Sequence, residues 1–138
     1  MNNNTNKFVA VLDESLEKGV AMNILGHMGV AMGNSAEDFT GVDNFSDLSG
    51  NTHNAMAKYP FIVLKSSQEK IKEIYENAKN SKLSVIGAPT EVYTTYTDEE
   101  FVKQVAQKSS EEIQYFGVCL YGDAEKVNEF TGGLSLYK

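Results

Sequence analysis

The chain is organised around one apolar stretch, KGVAMNILGHMGVAMG, from Lys18 to Gly33. The stretch is far longer than a strand and carries no proline and no interior charge, which predicts a helix. It is apolar on almost every side, so the expected setting is between two layers rather than on a surface. Asn23, His27 and Asn34, at i, i+4 and i+11, form one polar line along it. Gly26, Gly29 and Gly33 form a second line with no side chains. Each glycine costs about 1 kcal/mol relative to alanine in a helix interior. Close packing of that groove against the sheet is the expected compensation.

The remaining pattern alternates strands and helices. KFVAVLD (Lys7–Asp13) is a short, nearly continuous apolar run, as in a central strand covered on both faces. ESLEKG follows as a turn, with Ser15 as the expected N-cap of the long helix. Asn34 to Lys58 is polar and Gly-rich, long for a connection within a domain. Phe39, Val42, Phe45 and Leu48 are expected to pin it to the core, with a short strand near Val42–Asp47. Strands are predicted at Phe61–Lys65, Leu83–Gly87 and Ile113–Gly122, and amphipathic helices at 67–80, from Thr97 onward, and at Asp123–Phe130. Phe101, Val102, Val105 and Ala106 would form the inner face of the middle one. EVYTTYT, between strand and helix, reads as an exposed stretch offering Tyr93 and Tyr96.

This order predicts an α/β fold, a three-layer α/β/α sandwich with helices on both faces of a mixed, about four-stranded sheet. A chain of 138 residues suits one domain, here residues 1–138, with 1–6 loose. Nothing in the sequence resembles a membrane span or a secretory signal, and the single cysteine, Cys119, cannot form an internal disulfide. A cytoplasmic protein is expected. The net charge is −7 and every one of the 12 basic residues is lysine. Without arginine there is no bidentate clamp for phosphate or guanine, and the overall charge repels a polyanion. Nucleic acid is therefore not an expected partner.

At this point the residues resemble a known family. A first strand followed by EKGVAMNILGHMGVAMG resembles the type-two peptidyl-tRNA hydrolase fold, whose first helix opens with Gly-Lys-Gly-Lys and carries a Gln and a His further along. From Lys7 to Lys138 the chain resembles the bacterial domain of unknown function 2000 family, thought to share that fold. The marks are VLDESLEKGVAMN, DLSGNTH, YPFIVLK and the ending YGDAEKVNEFTGGLSLYK. Aligned on the histidine, Lys18, Gly19 and His27 fall on the hydrolase Lys, Gly and His. The second hydrolase lysine is Val20 here, the glutamine is Ile24, and GGLSLYK does not match the hydrolase Gly-rich C-terminal motif. These departures argue against peptidyl-tRNA cleavage.

His27 is the leading candidate for chemistry, since an imidazole serves as acid or base near neutral pH. Lys18 beside Gly19 could hold an anion at a helix N-terminus, or simply face water. Asp13 lies at the carboxyl end of the first strand, the rim where α/β sheets bind ligands, and could instead only pair with Lys18. His53, past the DLSGN turn, could meet His27 across a pocket; two histidines without acidic spacing do not make a metal site. The sequence thus predicts a small-ligand-binding domain of hydrolase ancestry, with a pocket at the first strand-to-helix turn built from Asp13, Lys18, Gly19, Asn23, His27 and His53. The alternative is a hydrolase of peptidyl-tRNA or another ester or amide, with His27 as base and Lys18 binding an anion. No cofactor and no metal are expected. A homodimer is, with the tyrosine stretch at the contact and the glycine groove used internally.

Overall fold

The computed structural model describes residues 5–41 and 44–138. In chain order the described elements are β1 (Asn6–Asp13), α1 (Lys18–Ser35), β2 (Asn44–Ser46), β3 (Thr52–Asn54), β4 (Phe61–Ser66) and α2 (Gln68–Ala78). They continue with β5 (Ser84–Pro89), α3 (Glu91–Thr94), α4 (Asp98–Ala106), β6 (Tyr115–Asp123), α5 (Ala124–Thr131) and β7 (Ser135–Leu136).

Five strands form one mixed sheet in the order β5-β6-β1-β4-β7. β1 lies at its centre, parallel to β4 and antiparallel to β6. The pleat sends alternate residues to opposite faces. Phe8, Ala10 and Leu12 join Ile24, Met28 and Met32 of α1 in one core. Val9 and Val11 join Ile71 and Ile74 of α2 and Val127 of α5 in the other. Helices therefore cover both faces, as the alternation of elements predicts. The sheet has one strand beyond the expected four because the ending LSLYK adds β7 to the edge of β4. Tyr137 holds that ending in place: its hydroxyl donates to the Leu16 carbonyl at 3.1 Å.

The long polar connection contributes a separate hairpin, β2–β3, with Asn44 opposite Asn54. Of the four residues expected to pin it, Phe39 is buried, packing edge-on against Phe8 and Tyr121. Phe45 and Leu48 are exposed instead, because the hairpin stands off the main sheet. Val42 lies outside the described residues. At the N-terminus, Asn6 is not loose but pairs with Asp123, and the Thr5 carbonyl accepts the Ala124 N–H; residues 1–4 lie outside the described residues.

The largest departure from expectation is α1. It buries one line of residues, Ala21, Ile24, Met28 and Met32, and leaves the opposite side open, with Met22 68% and Val30 78% exposed. The glycine line lies on that open side. A Cβ built at Gly26 or Gly29 would meet nothing within 4 Å, and one at Gly33 would meet only Phe39, at 3.9 Å. The groove is not packed against the sheet. α2 and α5 pack on the opposite face of the sheet, so no layer remains to cover α1 from outside. Its first turn also differs: the N-cap is Glu17, while Ser15 turns back to Asp13.

Two other helices deviate in instructive ways. In α4 no residue is fully buried; Val102 and Ala106, expected inside, are exposed, and Phe101 and Val105 are half-buried. Thr97 caps it as the spacing predicts, accepting from Glu100 N at 3.1 Å, but the Glu100 carboxylate accepts from Tyr96 N rather than from the cap residue. The stretch Glu91–Thr97, expected to be exposed, opens with the one-turn helix α3, whose Glu91 is buried.

Candidate functional site

A cavity of about 420 Å³ opens between α1, the carboxyl end of β5 and the α3–α4 arch. Small side chains create it. Ala31 on α1 and Ala88 on β5 both line it and are too small to fill the gap between helix and edge strand. Gly87 lines it through its backbone, since a Cβ there would meet Tyr75 and Tyr115 of the other core. Met28, Ile86, Val92 and Phe101 supply most of the apolar lining. Thr95, Thr97 and Asp98 bring polar groups from the arch, and His27 lies across from them on α1. Among the described residues β5 pairs with β6 alone, which leaves it an edge strand of the sheet beside this space. A volume of this order, mostly apolar with a few polar groups, is typical of a small-molecule site.

The arch is held by one ion pair. Glu91, 3% exposed, receives the Lys108 ammonium, which sits just beyond the end of α4. Burial pushes the Glu91 carboxyl up, but the hydrogen bonds from Lys108, the backbone and Thr90 outweigh it and hold the group below its ordinary range. The Glu91 carbonyl also accepts from the Thr95 hydroxyl at 2.8 Å, which fixes the bend between α3 and α4.

Of the candidate binding or catalytic residues singled out in the sequence, His27 alone lines this cavity. It is exposed at the mouth and makes no hydrogen bond or ion pair among the described residues. Asn23 shares with His27 a shallower groove along the open face of α1, with Met22, Gly26 and Val30. Lys18 and Gly19 are exposed at the start of α1, and Lys18 pairs with neither Asp13 nor any other described residue. Asp13 is buried and fully engaged. One carboxylate oxygen accepts from Ser15 N and Oγ at 2.9 and 2.8 Å, the other from Gln68 Nε2 at 2.7 Å. It joins β1 to the start of α2, a structural task. His53 lies on the hairpin, stacked on Phe45 with its Nε2 3.0 Å from Asp47 Oδ2. That contact, helped by Asn51 N–H, lowers the Asp47 carboxyl below its usual range.

The first strand-to-helix turn therefore does not gather these groups around a cavity. The residues that do line one, Ile86, Thr95, Asp98 and Phe101, lie in segments read only as strand, exposed stretch and helix. The legible signal was Ala88-Pro89, a small and a ring-closed residue ending a strand. Cys119 is fully buried in β6, and burial raises its thiol to about 12, so it is not a nucleophile. Among the described residues no group of three metal-ligating side chains converges, and no helix is long and apolar enough to cross a membrane.

Fold and cavity together define a mixed α/β sandwich with a pocket at the edge of its sheet. Its sequence places it further: residues 6–138 match the model of a family described as protein of unknown function DUF2000, and the chain belongs to that family. A solved structure of a protein of unknown function from Agrobacterium tumefaciens is similar over 99% of this chain and 100% of that one, with a TM-score of 0.87 and 18% identity. At that identity the likeness shows the shared fold. No curated protein sequence matches.

Proposed function

We propose that this protein is a cytoplasmic small-ligand-binding domain whose site is the cavity between α1, β5 and the α3–α4 arch. The observation that carries this reading is the cavity itself, about 420 Å³ of mostly apolar space. Its polar groups His27, Thr97 and Asp98 are exposed to solvent, so a ligand would bury an apolar body and present its polar end outward. Descent from a hydrolase-like ancestor is consistent with Lys18, Gly19 and His27 at the start of α1, although only His27 reaches the cavity.

Thermal-shift screening against metabolites tests the proposal. A hit is expected to move the methyl resonances of Ala31, Ala88 and Val92, and to be lost in Ala31→Phe with an unchanged circular dichroism spectrum. Hits that shift other surfaces and survive Ala31→Phe would place binding elsewhere and end the proposal.

The alternative, hydrolysis of an ester or amide with His27 as base, draws on the exposed imidazole in the cavity lining, which has no hydrogen-bond partner among the described residues. A positioned base contributes about 10²–10⁴ in rate. His27→Ala should then abolish turnover of simple acyl esters; no turnover above buffer removes this reading. The dimer proposal draws on Tyr96, 98% exposed, with Tyr93 and Val102 beside it in the arch. Light scattering that shows a monomer at high concentration would end it.

A further inference from the structure

Resting on that binding reading, we propose that the cavity selects small apolar molecules carrying a protonated amine and discriminates against carboxylates and phosphates. The charge inventory of the lining carries the argument. Asp98 is its one carboxylate, no lysine is among the lining residues, and the one other ionisable group besides the Tyr96 phenol is the His27 imidazole on the α1 wall. The Asp98 side chain is exposed and makes no hydrogen bond or ion pair among the described residues, so it is available to a ligand.

The amino end of α4 would ordinarily attract an anion, but here acidic side chains of its own first turn oppose one. Thr97 Oγ1 accepts from Glu100 N, and Asp98, Glu99 and Glu100 occupy the first turn. The Lys108 ammonium is not among the lining groups and is engaged by Glu91. An incoming carboxylate would therefore meet Asp98 with no lysine in the lining to offset it, in a chain whose net charge is −7. An ammonium would meet the Asp98 carboxylate and the rings of Tyr96 and Phe101, both in the lining. The Thr95 and Thr97 hydroxyls could accept its remaining N–H groups.

The test uses three probes that share an indole body: tryptamine, tryptophol and indole-3-acetate. Each is titrated into the wild-type protein at pH 8 by calorimetry and methyl NMR. Tryptamine is expected to bind about tenfold more tightly than indole-3-acetate, with tryptophol between them. In Asp98→Asn that ratio should fall to within about twofold, with an unchanged circular dichroism spectrum. Indole-3-acetate binding as tightly as tryptamine, or a ratio that survives Asp98→Asn, overturns the charge selection. If tryptophol shifts the methyls of Ala31, Ala88 and Val92 in that case, the pocket stands and only the ligand class falls. If none of the three probes moves those methyls, both the pocket and the selection fall.

Discussion

The open face of α1 makes a sharp thermodynamic expectation. Gly26 and Gly29 lie mid-helix, and an added Cβ at either meets nothing within 4 Å. Replacing each by alanine should then remove the conformational freedom that glycine loses on folding without introducing a clash. The gain is about 0.8–1 kcal/mol per site. The residues are three apart with no shared packing partner, so the double variant Gly26→Ala/Gly29→Ala should gain about 1.5–2 kcal/mol. For a domain of 138 residues that corresponds to a melting temperature higher by roughly 5–8 °C. The chain has no tryptophan, so unfolding is best followed by circular dichroism at 222 nm, with urea titrations for the free energy. The opposite packing, with the glycine groove closed against the sheet, would make the same changes cost about 1–3 kcal/mol through overpacking. The sign of the effect decides between them. A double variant less stable than wild type would mean that this face is covered in solution, and the open-face reasoning would fail.

Gly87→Ala should show the contrary result, because its Cβ would lie 2.9 Å from ring atoms of both Tyr75 and Tyr115; a loss of about 1–3 kcal/mol is expected, and an unchanged urea midpoint would contradict the packing. Lys108→Met should strand the buried Glu91 carboxylate. Breaking a fully buried pair costs about 3–5 kcal/mol, but Lys108 is itself 38% exposed, so solvent screening reduces the expected cost to about 1–3 kcal/mol at pH 7. The pH dependence follows from the sign of the shift. Wild-type Glu91 is held below its ordinary range, so the pair's contribution is complete above the usual carboxylate range and is lost as pH falls through the lower folded value. In the variant the attraction of Lys108 is gone and burial favours the protonated acid, so the stability gap between the two proteins should narrow toward pH 4. A gap that is absent at pH 7, or widens in acid, would show that the bridge does not hold the arch.

How much of this was legible beforehand depends on the range over which each feature is determined. The strands, the helices on both faces and the cap at Thr97 are written in short windows of sequence, because pleat and helix periods are local properties. The continuous apolar run KFVAVLD correctly implied a strand covered on both faces, since Phe8, Ala10 and Leu12 face one helical layer while Val9 and Val11 face the other. The run from Lys18 to Gly33 allowed no such inference. Its apolar residues circle the whole helix, and periodicity cannot say whether a second layer lies beyond it. Topology decided that, by placing α2 and α5 on the far face of the sheet and leaving Met22, the glycines and Val30 open. The same holds for the site. Asp13, Lys18, His27 and His53 carry chemistry suggestive in a sequence, yet the fold sends them to a buried turn, a helix start, a cavity mouth and a hairpin. The cavity arises where Ala31 and Ala88 line the space beneath an arch built from Val92 to Phe101. A void is the absence of side chains from segments distant in sequence, and only their assembly in three dimensions brings those absences together.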